Sequence, residues 1–195
     1  MGNANTQQHI QQSLEAALQG LAFWISLRQV SYSEHIINEG ALVTEFVSLL
    51  RTKLDNDFAI PNESKYNKKS NKRMDIEIVK KDSKARIAII EVKRYLGGER
   101  LIKEDIKKLI NAKKEKENKD VLCYLAVISE NRTSKLFVDK KGNAVRKNLS
   151  PEKNFTTNLR VLKSTKSFKF KNGKPPKANY CCLLKISPTN QRGKQ

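Results

Sequence analysis

The fold is decided by residues 74–93, which read MDIEIVKKDSKARIAIIEVK. Polar and apolar residues alternate over 74–79, which is typical of a strand with one face buried. Residues 80–84 have the composition of a turn. Residues 85–93 form a second predicted strand, which stays mostly apolar until Glu91. The stretch therefore predicts a β-hairpin.

The register of this hairpin brings charged residues together. With the turn centred on Ser83, Asp75 lies opposite Glu91. Lys93 follows Glu91 by two residues and projects from the same face of its strand. Glu77 shares the face of Asp75 and is expected to be a rim charge or an accessory ligand. The pattern thus predicts two carboxylates and an ammonium group side by side.

A divalent cation would explain why two carboxylates lie so close together. Mg²⁺ is usually held by one or two carboxylates together with substrate phosphate, and Mn²⁺ is expected to substitute for it. The backbone carbonyl of Val92 is a further candidate ligand. A metal-bound water is a nucleophile at neutral pH, and Lys93 beside it would orient the water or stabilise the transition state.

The Glu-x-Lys spacing alone carries little information in so Lys-rich a chain, where it occurs three times. Only the copy at 91–93 ends an apolar strand, follows an Asp-bearing strand and precedes a helix and a buried strand. The alternative interpretation is a surface hairpin with solvated charges. Such a hairpin should not place its carboxylate directly after four apolar residues, so the metal-site interpretation is favoured.

The surrounding elements predict the fold class. The predicted elements are helices at 6–29, 32–54 and 101–116, strands near 58–60 and at 121–129 and 180–186, and a second hairpin with arms at 135–139 and 144–147. No strand is predicted over 148–178. The order predicts an α/β fold with a central mixed β-sheet flanked by helices.

The domain organisation follows from the same elements and from the charge. The expected parts are an N-terminal helical segment at 1–30, a core at 31–130, a basic C-terminal part of the same domain at 131–186 with β-rich character, and a disordered tail at 187–195.

Residues 39–129 resemble the PD-(D/E)XK nuclease superfamily, whose restriction-endonuclease-like core has the order αβββαβ. Met74-Asp75 stands where the family has Pro-Asp, and Glu91-Val92-Lys93 matches the second motif; the missing proline removes no ligand. The resemblance implies that Asp75 and Glu91 are metal ligands and that Lys93 is the catalytic lysine. It also implies an Mg²⁺-dependent endonuclease that acts on DNA.

The superfamily often adds a glutamate from the first core helix, and this chain offers two candidates. Glu45 lies at the edge of the apolar face of that helix and has the more typical distance to the strand that follows. Glu39 lies in line with the apolar face. Glu45 is preferred as a further metal ligand, and Glu39 stays open as the alternative.

The charge of the chain predicts a polyanionic partner. Lys and Arg number 39 against 20 for Asp and Glu, which gives a net charge of +19. Residues 131–195 hold 17 of these basic residues and two acidic ones. Such a balance is typical of nucleic-acid binding, although a solvated or nuclear-import-like tract has the same composition. The candidate binding residues are Lys140, Lys141, Arg146, Lys147, Lys166, Lys169 and Lys171.

Other features define the remaining expectations. Three cysteines form a poor disulfide framework and indicate an intracellular protein, cytoplasmic or nuclear if the source is eukaryotic. No apolar stretch is long enough to span a bilayer. Residues 1–6 fit the loose rule for N-myristoylation, which leaves a membrane-surface protein as a third hypothesis. A homodimer through the first helix, residues 10–25, is also expected.

Two further alternatives remain open. One is a catalytically inactive nucleic-acid-binding module on the same fold. The other is an RNA-directed nuclease, because a cationic surface does not distinguish DNA from RNA.

Overall fold

The structure is a computed structural model that describes residues 4–31, 37–61, 64–66, 73–96, 98–130, 135–141, 143–166 and 178–189. The helices are α1 (Ala4–Ser31), α2 (Glu39–Arg51) and α3 (Glu99–Lys114), with a short 3-10 helix at Lys116–Asn118. The strands are β1 (Phe58–Ala59), β2 (Ile76–Lys80), β3 (Arg86–Arg94), β4 (Leu122–Ser129), β5 (Phe155–Lys166) and β6 (Ala178–Pro188).

The strands of the described residues form one mixed sheet in the order β1-β2-β3-β4-β6-β5. Strands β3 and β4 are parallel, whereas the other neighbouring pairs are antiparallel. Strand β4 is buried along its whole length, as its continuous apolar sequence predicts. The α/β class with a mixed sheet flanked by helices is therefore confirmed.

The hairpin of β2 and β3 has the predicted register. Ile76 pairs with Ile90 and Ile78 pairs with Ala88, and the register shifts only between Ile78 and Val79, near the turn. Asp75 directly precedes β2, so it lies at the open end of the hairpin.

Two cores lie on opposite faces of the sheet. One contains the apolar stripes of α1 and α2 together with Ile90 and Val92 of β3, and the other contains the stripe of α3 together with Ile89. Because successive strand residues point to opposite faces, Glu91 and Lys93 share the face of Ile89. Their side chains are thereby directed to the side of the sheet that α3 covers.

The first two helices correct the sequence predictions in detail. The second helix begins at Glu39 rather than near 32, because the side chain of Asn38 caps it by accepting from the Ala41 N–H at 2.7 Å. The stripe of α1 that was expected to form a dimer interface is buried against the protein's own sheet; Ile10, Leu18 and Ile25 are all fully buried.

The C-terminal third departs furthest from expectation. The predicted second hairpin is reduced to a single bridge between Val138 and Ala144. Strand β5 was missed, and it pairs with β6 along its length. Strand β6 continues to Pro188, and Thr189 bonds the backbone of Asn154. The predicted disordered tail therefore does not begin at 187, and its residues 190–195 lie outside the described residues.

Candidate active site at the open end of strand β3

Beyond the end of its pairing with β2, strand β3 donates backbone hydrogen bonds to carboxylates. Alternate N–H groups of a strand point to the same side. The N–H groups of Val92 and Arg94 therefore both point to the side on which β2 lies. Asp75 accepts a hydrogen bond from the Val92 N–H at 2.7 Å. Glu39 accepts one from the Arg94 N–H at 2.9 Å. The backbone of β3 thus fixes two carboxylates in a row.

Glu91 completes the acidic group from the face of the sheet. The residue is only 6% exposed, and its carboxylate accepts a hydrogen bond from the hydroxyl of Tyr66. The other carboxylate oxygens, Glu91 Oε2 and Asp75 Oδ1, accept no hydrogen bond from the described residues. Within the described part of the chain, Asp75 and Glu91 therefore each keep one oxygen without a hydrogen-bond donor.

Lys93 lies between two carboxylates. Its Nζ is 3.3 Å from Glu39 and 3.6 Å from Asp105. The structure thus brings Glu39, the alternative candidate, to the predicted lysine. Glu45 is half-buried on a later turn of α2, and no contact within the described residues joins it to Asp75, Glu91 or Lys93.

Helix α3 contributes an aspartate and a second lysine. Asp105 is 4% exposed; its Oδ1 accepts a hydrogen bond from Lys108, and its Oδ2 forms an ion pair with Lys93. The side chain of Lys108 is 46% exposed. The site therefore contains carboxylates from the loop before β2, from β3 and from two helices, with lysines from β3 and α3.

Burial and crowding change the acidity of the central pair. Burial raises the pKa of Glu91 to about 7, with the negative charge of Asp75 adding to the effect and the Tyr66 hydroxyl opposing it. The pKa of Asp75 is also raised, although the residue as a whole is exposed, because its carboxylate is partly enclosed; the Val92 N–H opposes this rise, and the charges of Glu39 and Asp105 add to it.

The lysines and the tyrosine keep their protons. Partial burial lowers the pKa of Lys93, but the carboxylates of Asp105 and Glu39 outweigh it, and the net pKa is raised. Lys108 behaves in the same way with Asp105 as its partner. Burial and the charge of Glu91 raise the pKa of Tyr66. Tyr66 is therefore a neutral donor to Glu91.

An anchored backbone holds Tyr66 in place. The guanidinium of Arg86 donates to the carbonyls of Tyr66 and Lys65, each at 2.9 Å, and to the side chain of Asn118. Arg86 also pairs with Glu77, which is buried. Glu77 is thus part of this support and is not the rim charge that the sequence predicts.

The donor set fits a hard divalent cation held by two carboxylates. Among the described residues, no group of three or more His, Cys, Asp or Glu side chains is arranged to hold a metal ion. Mg²⁺, however, is usually bound by one or two carboxylates with waters and phosphate. Asp75 and Glu91 supply that number. The carbonyl of Val92 points to the same side of β3 as its N–H, toward Asp75,.

Among the described residues, no hydrogen bond or ion pair joins the predicted nucleic-acid-binding residues to this acidic group. Lys140, Lys141, Arg146 and Lys147 are exposed around the bridge between Val138 and Ala144. Lys166 ends β5. Lys169 and Lys171 lie outside the described residues. The structure thus leaves the binding roles of these residues as predictions.

Sequence reasoning missed Asp105, Lys108 and Tyr66. A signal existed for Asp105, since it interrupts the apolar stripe of α3 between Ile102 and Leu109. Lys108 is one of many lysines on that helix, and Tyr66 falls in a polar tract that reads as a loop. Only the packing of the chain brings these two to the site.

No helix among the described residues is long and apolar enough to cross a membrane. Comparisons with protein-family models, with curated proteins and with solved structures found no match to this chain.

Proposed function

We propose that this protein is a metal-dependent endonuclease that hydrolyses phosphodiester bonds in DNA. The observation that carries the proposal is the pairing of Asp75 with Glu91 beside Lys93. Each carboxylate keeps an oxygen without a hydrogen bond from the described residues, the pKa of both is raised, and the negative charge of Asp75 contributes to the rise at Glu91. Two carboxylates held together against their repulsion are well suited to a divalent cation.

The roles of the residues follow from their surroundings. A bound Mg²⁺ would supply an acidic water and stabilise negative charge on the phosphate. Asp75 and Glu91 would hold it, and Tyr66 and the Val92 N–H fix the orientation of these two carboxylates. Lys93 presents a protonated ammonium toward the reacting phosphate, and Glu39 holds this ammonium in place.

The charge of the chain supports a nucleic-acid substrate. The net charge of +19 favours binding to phosphate backbones. The choice of DNA over RNA follows the resemblance to PD-(D/E)XK nucleases, so both substrates belong in the test.

The test is cleavage of supercoiled plasmid and of a structured RNA in Mg²⁺, Mn²⁺ or EDTA. Wild type should cut DNA only with a metal, and Asp75→Asn or Lys93→Ala should lower the rate by at least about 10²-fold, as expected when a charge-stabilising group is lost. Glu39→Gln should also slow cleavage, whereas Glu45→Gln, on the same helix, should not. Thermal unfolding should show metal-dependent stabilisation that Asp75→Asn removes.

Three results would decide against parts of the proposal. Binding of nucleic acid without cleavage of DNA or RNA would favour an inactive binding module. Cleavage of RNA alone would make the substrate RNA. Equal cleavage by wild type and Asp75→Asn would assign the activity to a contaminant. If Glu45→Gln slows cleavage and Glu39→Gln does not, Glu45 rather than Glu39 is the helix glutamate of the site.

A further inference from the structure

Helix α3 carries a buried aspartate on its apolar face. Asp105 shares the buried face of the helix with Ile102, Ile106 and Leu109. Removing a carboxylate from water costs several kcal/mol, and an apolar residue at such a position is often at least as stabilising. Residues that break a local rule in this way are expected at functional sites.

The partners of Asp105 show what the carboxylate does. Its Oδ2 lies 3.6 Å from Lys93 Nζ, and its Oδ1 accepts from Lys108, three residues further along the helix. One carboxylate thus holds two ammonium groups from different elements. The two ammonium groups repel each other, and Lys108 is attracted by the negative charges of Asp75 and Glu91.

The two lysines differ in how far they are already neutralised. Lys93 contacts two carboxylates, and its side chain is 21% exposed. Lys108 contacts one carboxylate and is 46% exposed. The side chain of Lys108 is therefore the more accessible of the two to an anion that approaches the acid pair from solvent.

We propose that Lys108 is a second phosphate-binding lysine of this site and that Asp105 is the positioning residue that holds it beside Lys93. The inference rests on the proposed function for the identity of the anion, a phosphate of the nucleic-acid backbone. Without Asp105, the two like charges would separate, and Lys108 would move freely on the surface of α3.

Affinity tests the phosphate contact without requiring turnover. Binding of a 5′-labelled DNA duplex is measured by fluorescence anisotropy over a salt series, in EDTA and again in Ca²⁺, which takes oxygen ligands as Mg²⁺ does. Lys108→Ala should weaken binding about tenfold, as for a lost charged hydrogen bond, and lower the salt slope by about 0.9. The control is Lys107→Ala, an exposed neighbour on the same helix, which should change affinity less than about twofold.

A double-mutant cycle tests the positioning role. Asp105→Asn keeps the shape of the side chain and removes its charge. If Asp105 positions Lys108, adding Lys108→Ala to Asp105→Asn should cost less than about threefold in affinity, compared with about tenfold in wild type. Asp105→Asn alone should weaken binding by at least about threefold, because the released Lys108 loses most of its contribution, and in single-turnover cleavage it should lower the rate about 10²-fold.

The results separate this inference from the proposed function. Equal affinities and slopes for Lys108→Ala and Lys107→Ala would overturn the phosphate contact, and additive effects in the cycle would overturn the positioning role. If the protein binds DNA but cuts nothing, the endonuclease proposal fails, whereas the affinity cycle still decides the roles of Lys108 and Asp105. Circular dichroism and thermal unfolding identify any variant that fails to fold, and in that case Lys108→Ala alone decides.

Discussion

The two ends of the β2–β3 hairpin differ in the partners that surround their carboxylates. Near the turn, Glu77 is paired with Arg86, which also donates to two carbonyls and to Asn118. At the open end, Asp75 and Glu91 face each other, and from the described part of the chain they accept one hydrogen bond from a hydroxyl and one from a backbone N–H. The first end is neutralised and holds the fold together. The second end is left acidic and crowded, which destabilises the folded protein and suits a cation.

The largest expected effect comes from breaking the neutralised end. Arg86→Ala leaves the buried carboxylate of Glu77 without its partner, and the anchor of Tyr66 is lost. The free energy of unfolding should fall by about 4 kcal/mol, as for other buried ion pairs that lose one member. Urea unfolding at pH 7 measures this change. The control is Lys81→Ala in the exposed turn, which should cost less than about 0.5 kcal/mol; equal losses would mean that the Arg86 network is not structural.

The next largest effect is the pH dependence of folding stability that Glu91 causes at the open end of the hairpin. The pKa of Glu91 is raised from 4.5 in a free side chain to about 7 in the folded protein. Between these values the folded state binds the proton and the unfolded state does not, so stability falls as pH rises. The loss is complete above about pH 7 and amounts to at most about 3 kcal/mol.

Glu91→Gln isolates that contribution. In EDTA, the variant should be more stable than wild type at pH 8, by about 2 kcal/mol, and nearly equal to it at pH 4.5. Glu77→Gln is the matched control at the other end, and it should be less stable than wild type at pH 8 because Arg86 loses its partner. Should Glu91→Gln also lose stability at pH 8, the acidic end would be as well compensated as the turn end.

The smallest effect concerns the Tyr66 hydroxyl, which donates to Glu91 at the open end of the hairpin. Tyr66→Phe removes the donor to Glu91 and leaves a buried carboxylate oxygen without a partner. At pH 8 the free energy of unfolding should fall by about 1 kcal/mol, and in the Glu91→Gln background the cost should be smaller. The four proteins of this cycle are compared by urea unfolding. An unchanged cost in the Glu91→Gln background would assign the effect to packing of the ring.

The predictable parts of the fold are those with local patterns. The hairpin register follows from the turn and from the alternation of residues 74–79, and the burial of β4 follows from its continuous apolar run. Strand β5 could not be found in this way, because basic and polar residues interrupt its pattern. It forms because β6 offers it a partner along its whole length. The start of α2 was misplaced because the cap at Asn38 depends on a side-chain contact.

The candidate site divides in the same way. The placement of Asp75 opposite Glu91, with Lys93 on the same face, is a property of neighbouring strands, and sequence spacing predicts it. The preference for Glu45 over Glu39 followed distance along the chain. In the folded protein the Arg94 N–H and Lys93 lie next to Glu39, since it opens α2 at the end of the sheet where β3 runs past β2.

The sequence by itself determined the α/β class, the hairpin and the acid pair with its lysine, because alternation and turn length set which residues face each other over short distances. The tertiary structure alone decided that Glu39, Tyr66, Asp105 and Lys108 join them. These four residues come from a helix start, a loop and a second helix, all distant in the chain. Their proximity depends on how the helices pack on the two faces of the sheet, and no local sequence pattern predicts that packing.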